Sequence, residues 1–335
     1  MNFLKRALAL LLCMAMLLCT GCASENKSPV GEIEQSAAGL SKMGGKAGTL
    51  LKDPNGFPPG TSGCDWTAIA LSLAGSRESY STYLSGLEKV VTEAYAKRGC
   101  LDKNKSTEYH RISLTVMALG GDPTKFGKKP DGSNINLIED GTYNFAADSL
   151  GKQGLNGWIW ALITLDAGAF EIPADAKFTR ASIIEAILSA QEDDGGFGLI
   201  KGSSDVDITA MALQALAPYR DEHAKEIENA LSFLSGMLNE NCGYLSYGAE
   251  NSETTAQVIL ALCALGIDPE KDERFIKNNK NLLMQLNRFR RDDGTYSHLL
   301  DGEKGDFLAT SQSMFAIIAV DRLRKGQEWV FRFSR

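Results

Sequence analysis

Residues 191–217 read QEDDGGFGLIKGSSDVDITAMALQALA, and their pattern decides the fold. Gly195, Gly196 and Phe197 make a turn, because paired glycines admit backbone angles that other residues avoid. A polar loop follows. From Asp205 the chain reads as an Ala/Leu-rich helix whose only charges lie in its first turn. A helix that apolar is buried on most sides. It needs covering helices, so the same unit is expected elsewhere in the chain.

It recurs twice downstream. Residues 239–266 read NENCGYLSYGAENSETTAQVILALCALG, and residues 291–320 read RDDGTYSHLLDGEKGDFLATSQSMFAIIAV. Each copy has a Gly-aromatic turn (Gly243-Tyr244, and Tyr296 shortly after Gly294), a polar loop and an apolar helix. Weaker copies lie upstream at Asp65-Trp66, at Thr107 to Tyr109 and at Asn156 to Trp158. With Asp65, Glu108, Asn156, Asp207, Glu253 and Thr310 as markers, the steps are 43, 48, 51, 46 and 57 residues. Six units of this size are a repeat architecture.

Amphipathic helices are predicted between the apolar ones, near 83–97, 179–191, 226–239 and 278–289. Ile183, Ile184, Ile187 and Leu188 form one such stripe, at helical spacing. No alternating Val/Ile/Thr run is long enough for a sheet. Two kinds of helix alternating six times predict an all-α fold, an (α/α)6 toroid with an inner and an outer ring over residues 51–330. An open solenoid is the alternative; closure removes exposed end faces.

The N-terminus reads as an address. Residues 1–21 carry Lys5 and Arg6, then an apolar run from Ala7 to Leu18, which is the layout of an export signal. The run is short for a membrane span. Thr20 and Gly21 precede Cys22, as small residues precede the lipidated cysteine of a bacterial lipobox, although Cys19 stands where that motif prefers Leu. The expectation is an extracytoplasmic lipoprotein anchored to the membrane through Cys22, with simple secretion as the alternative. Residues 22–50, rich in Ser, Gly, Ala, Lys and Glu, read as a flexible tether. Cys64, Cys100, Cys242 and Cys263 remain, with their disulfide state open.

Composition narrows the function. The chain has 335 residues, with 35 Lys+Arg against 42 Asp+Glu and a formal net charge of −7. No basic stripe is present, so no nucleic-acid partner is expected. Three histidines, His110, His223 and His298, leave little for a metal site, and no metal or cofactor is expected.

Gln191 to Phe197 resembles the QxxDGGF turn of the prenyltransferase and squalene-cyclase repeat, and residues 205–213 resemble the helix that follows it. The resemblance covers about residues 55–325. It implies the α/α toroid of terpenoid cyclases, protein prenyltransferase β subunits and the helical domain of cobalamin carriers. It does not imply one chemistry, since the fold hosts several.

Each branch implies different residues. Prenyltransferases hold a catalytic zinc through an Asp-x-Cys turn and a His; here Glu240 and Asn241 precede Cys242, with His298 and Asp301 later, so that ligand set does not carry over. Class II cyclases use DxDD, whose middle Asp protonates an alkene. Asp205 and Asp207 match its first two acids, but Ile208 replaces the last. The helix dipole then favours an ionised Asp207, a poor general acid. Cobalamin carriers grip their ligand at the inner-helix N-termini under a second domain, and the match there is Asp207, Thr209, Ala210 and Met211. Any lid is expected from another protein or from the substrate.

In a toroid the inner helices run parallel, so their N-termini share one mouth. The candidate ligand-binding set at that mouth is Asp65, Trp66, Glu108, Tyr109, Asn156, Trp158, Asp207, Thr209, Glu253, Thr255, Gln257 and Gln312. Acids, amides and aromatics converging on one concave end make a ligand site. A plainer reading makes Asp65, Thr107, Asp205, Ser252 and Thr310 helix caps, and Trp66 and Trp158 core residues. The expected function is binding of a small molecule or a surface partner without chemistry. The alternatives are a cyclase-type isomerase with Asp207 and Asp205 as catalytic acids, and an adhesion or scaffold module without a pocket.

Overall fold

The computed structural model describes residues 29–46, 48–246 and 248–333. The predicted signal segment and Cys22 lie outside the described residues. Eleven α-helices are described: α1 (Val30–Met43), α2 (Ser62–Leu73), α3 (Tyr80–Arg98), α4 (Ser106–Ala118), α5 (Asn156–Ala167), α6 (Arg180–Leu188), α7 (Val206–Leu216), α8 (Ala224–Gly236), α9 (Ser252–Ala264), α10 (Leu282–Asn287) and α11 (Phe307–Arg324). A π-helix (Glu139–Tyr143) lies between α4 and α5. The described strands are two hairpins with arms of two residues each. No helix among the described residues is long and apolar enough to cross a membrane.

The apolar helices close a ring. α2 packs on α4, α4 on α5, α5 on α7, α7 on α9, α9 on α11, and α11 returns to α2. These are the six inner helices of the repeat. Their middles are buried: Ala68 to Leu71, Leu162, Leu213, Ile259 and Ala316 are all without exposed surface. The π-helix covers α4, α6 covers α5, α8 covers α7 and α10 covers α9. α3 bonds to α2 through Tyr83 and Asp65. The fold is an all-α toroid, as the repeat predicts.

The sixth outer position corrects the reading of residues 22–50. A tether was expected there, but residues 30–43 form α1, which packs on α11 and α2. Ile33, Ala37 and Leu40 are buried at helical spacing, and Ser36, Gly39 and Ser41 are buried with them. The small residues thin the apolar signal, yet they let the helix approach closely. A Cβ on Gly39 would stand 2.7 Å from Asp293 O. The chain thus begins its outer ring with the helix that covers its last inner one.

The Gly-aromatic turns explain the register. Each turn rests on the outer helix that covers its own inner helix. A Cβ on Gly195 would meet Asn229 O of α8 at 2.5 Å, and one on Gly243 would meet Gln285 of α10 at 2.6 Å. One on Gly294 would meet Gln35 O of α1 at 2.7 Å. Gly195 and Gly294 also have φ of 87° and 85°, so glycine is demanded twice over. The third contact places α1 in the outer ring by the same rule as α8 and α10.

The N-caps differ in part from expectation. Asp205 does cap α7, accepting from the Ile208 N–H at 2.9 Å. Asn251 and Asp306 cap α9 and α11, in place of Ser252 and Thr310. Thr61 and Lys105 occupy the cap positions of α2 and α4 without a side-chain bond, so Asp65 and Thr107 lie inside those helices.

Candidate functional site

The inner-helix N-termini do share one end of the ring, but its sides differ. On one side a cavity of about 200 Å³ is lined by Ser62, Trp66, Thr107, Glu108, Arg111, Asn156 and Trp160. Three of the predicted residues, Trp66, Glu108 and Asn156, meet there, contributed by α2, α4 and α5. Trp66 and Trp160 stand with ring centroids 5.1 Å apart and form the aromatic wall.

Arg111 was not singled out from the sequence, and it organises this side. Its guanidinium forks onto Glu108 at 2.9 and 2.7 Å, reaches Asp65 Oδ2 at 2.9 Å and donates to Gly60 O at 2.9 Å. Burial works against the Arg111 charge, but Glu108 and Asp65 outweigh it and raise its pKa further. Asp65 is fully buried beneath the cavity floor, where it also accepts from Tyr83 Oη and the Gly60 N–H. Burial pushes its carboxyl upward, while Arg111, Tyr83 and Gly60 pull it back. The signal was available: Arg111 stands three residues after Glu108, the spacing of an ion pair on one helix face. Trp160 was equally visible, two residues after Trp158.

On the facing arc stand Asp205, Asp207 and Glu253. Asp207 is mostly buried, and its Oδ1 lacks a hydrogen-bond partner. Its pKa is raised to about 6, first by burial, then by Asp205 and Glu253, with the Thr254 hydroxyl opposing. Desolvation thus works against the ionised form that the helix terminus favours. At neutral pH the group remains mainly ionised, with roughly a tenth protonated. Glu253 bonds to Ser252 Oγ and to His298 Nδ1, both at 2.9 Å.

Several expected mouth residues serve the frame instead. Thr209 Oγ1 accepts from the Phe197 N–H at 2.8 Å and donates to Asp205 O at 2.7 Å, which ties the turn to α7. Thr310 accepts from the Tyr296 N–H in the same way at 2.9 Å. Thr255 is buried and donates to Asn251 O. Tyr109 is buried against Phe145, and its hydroxyl accepts from Leu101 and Asp102. Trp158 packs edge-on against Phe178, away from the mouth cavity. Gln257 and Gln312 join Gln214 in a chain of amides: Gln214 Nε2 donates to Gln257 Oε1 at 2.8 Å, and Gln257 Nε2 to Gln312 Oε1 at 3.1 Å.

The interior of the ring is packed from the opposite end. After α11 the chain turns back, and Phe331 is buried among Trp66, Trp160, Phe315 and Trp329. The Phe333 N–H bonds to Ala167 O at 2.7 Å and fixes the segment at the end of α5. The mouth is therefore shallow.

Cys242 donates from its buried Sγ to Phe275 O, and Glu240 pairs with Lys277 and Asn278. Among the described residues no three His, Cys, Asp or Glu side chains stand together as a metal site. The four cysteines from Cys64 onward are free thiols.

The architecture is an all-α toroid with six inner helices. Among solved structures the chain is similar to Candida albicans protein geranylgeranyltransferase-I complexed with GGPP, at a TM-score of 0.54 and 10% identity. The match covers 90% of this chain and 96% of that one. At that identity the likeness is one of fold. No family model matches the sequence, and no curated protein matches it.

Proposed function

We propose that this chain is an exported, membrane-anchored lipoprotein whose toroid binds a small neutral ligand at its mouth and does no chemistry there. One observation carries the binding reading: Trp66 and Trp160 flank a cavity whose polar groups are the Ser62 and Thr107 hydroxyls, the Asn156 amide and the Glu108–Arg111 ion pair. Stacking faces beside neutral donors and acceptors suit a polyhydroxylated ring, as in a sugar or a surface glycan. The volume of about 200 Å³ lies below the ~300–1,000 Å³ of pockets that enclose drug-sized ligands, so one ring or one protruding group is held. The export half rests on Lys5, Arg6, the apolar run and Cys22.

The test is a thermal-shift and tryptophan-fluorescence screen of mono- and disaccharides on the soluble domain. Asn156→Ala and Trp66→Ala should each weaken a hit about tenfold or more. A hit indifferent to both substitutions removes the mouth as the site. Acyl labelling that survives Cys22→Ala would end the lipoprotein reading.

The fold neighbour is complexed with GGPP. An anionic diphosphate matches this mouth poorly, since Asp205, Asp207 and Glu253 repel it and Arg111 is already paired. A cyclase-type isomerase is the second reading, favoured by the raised pKa of Asp207. Its test is incubation with squalene and shorter polyprenes: a cyclised product lost in Asp207→Asn establishes it. The adhesion or scaffold reading draws on the buried Phe331 in the ring, and a screen without any mouth-dependent hit would favour it.

A further inference from the structure

We propose that the mouth-end loops of the last three repeats form a docking surface for a partner protein, which presents a basic amphipathic segment with Lys or Arg set among apolar side chains. The negative charge of the chain is gathered on these loops. Residues 191–207, 239–253 and 291–306 hold thirteen Asp and Glu against Lys201, Arg291 and Lys304, a balance of −10, whereas the whole chain stands at −7. The remainder is therefore basic on balance. The loops lead into α7, α9 and α11, which are consecutive in the ring, so their charges act together along one arc of the rim. The second and third loops also meet directly, since the Ser252 N–H bonds to His298 O at 3.1 Å.

Much of this charge is uncompensated. Elsewhere on the surface Asp140 pairs with Lys129, Asp272 with Arg274 and Glu270 with Arg324. On the three loops the ion pairs among the described residues are those of the second, Glu240–Lys277, Glu250–Arg288 and Glu253–His298. Asp193, Asp292, Asp301 and Glu303 are exposed and have no Lys or Arg within ion-pair distance among the described residues. Nor do the carboxylates gather round one point: among the described residues no three stand together as a metal site. Charge spread over a surface matches a string of Lys or Arg better than it matches one small cation.

Large apolar side chains stand exposed among these acids. Leu199 and Ile200 of the first loop are 42% and 70% exposed, and Leu245 of the second is 57% exposed. Each follows the aromatic residue of its turn within three positions, so the same point of the repeat carries them. The first loop is held in place, because Leu199 O accepts from the Leu155 N–H at 2.9 Å. Apolar contacts ringed by complementary charge are the make-up of a protein interface. A polyamine supplies the charge without the apolar half, and an anionic polymer or headgroup is repelled by the same field.

This surface shares no residue with the Trp66–Trp160 cavity, so it does not rest on the proposed mouth ligand. The experiment follows the fluorescence anisotropy of a labelled peptide of about twelve residues, alternating Lys and Leu, during titration with the purified protein. Two controls of the same length alternate Lys with Ser and Glu with Leu. The expected result is saturable binding of the Lys–Leu peptide, at least about tenfold tighter than either control, and weaker by about tenfold or more at about 300 mM salt than at about 50 mM. Asp193→Asn, Asp292→Asn and Asp301→Asn together should weaken it about tenfold, and so should Ile200→Ser with Leu245→Ser. All five side chains are exposed, so the fold should survive both sets. Glu93→Gln, on the outer face of α3, should leave binding unchanged. No saturable binding, a control peptide bound as tightly, or indifference to either set of substitutions would each overturn the proposal.

Discussion

Arg111 Nε donates to Asp65 Oδ2 at 2.9 Å, so the first two inner helices are joined by a buried ion pair directly under the mouth cavity. The pair positions Glu108 and closes the floor between α2 and α4. A buried pair is costly to break by halves, because the remaining charge is stranded. Arg111→Met is expected to cost about 3–5 kcal/mol in urea unfolding. Adding Asp65→Asn should recover part of that loss. If the double variant is no more stable than the single one, Asp65 is not the charge that Arg111 neutralises.

Thr209 and Thr310 make the same cross-link in two repeats, accepting from the buried backbone N–H of Phe197 and Tyr296. Valine has the same shape but no acceptor. Thr209→Val and Thr310→Val should each cost about 1–3 kcal/mol, the penalty of a buried donor left unpaired. The sites share no partners, so the double variant should show near-additive loss. A neutral effect at both would mean that the turns are held by their glycines alone.

The ring, its six inner helices and its turns were legible because their signals are periodic and local. The mouth was legible only in part. The pattern D205-V-D-I-T209, N251-S-E-T-T255 and D306-F-L-A-T310 shows what misled the site assignment: a cap and a threonine four residues later form a structural device, and their polarity imitates a binding surface. Arg111 and α1 were missed for opposite reasons. The first is a charge beside His110 and one turn from Glu108, in a first half of the helix already polar, and the second packs through Ser36, Gly39 and Ser41, whose burial adds little to a hydropathy pattern. The returning Phe331 depends on a chain reversal that no local period encodes.

α1 should behave as part of the core. Leu40 has no exposed surface, whereas Val30 on the same helix is 39% exposed. Leu40→Ala should therefore cost about 2–5 kcal/mol, while Val30→Ala should stay within about 0.5 kcal/mol. Chemical denaturation of both variants checks the contrast. Equal small effects would return this segment to the role of a tether.

Asp207 gives a pH dependence of definite sign. Its carboxyl titrates near 6 in the folded chain against an ordinary value of 3.8. A raised pKa means that the folded state binds the proton more tightly than the unfolded state. The resulting stability is fully present below about pH 4 and is lost as the pH rises through 6. Asp207→Asn removes the charge that is costly above that window. It should stabilise the protein by on the order of 2–3 kcal/mol at pH 7.5, and the gain should shrink towards zero near pH 4. Denaturation of both proteins across this range decides it. A gain independent of pH would place its origin in packing rather than in the ionised carboxylate.

Phe331 separates the mouth from a cavity at the other end, between the ends of α5 and α7 and the returning segment, since its ring touches Trp66 and Trp160 on one side and Trp329 on the other. Phe331→Ala should cost about 3–5 kcal/mol, because the surrounding rings belong to four different segments and cannot all collapse into the gap. It should also merge the two spaces, each near 200 Å³, into one that admits a longer apolar molecule. A long-chain alcohol or an elongated apolar dye, each too long for either space alone, should then bind the variant and not the parent chain. If the variant is destabilised yet binds neither, the ring has closed over the deletion, and the tail's role is confined to stability.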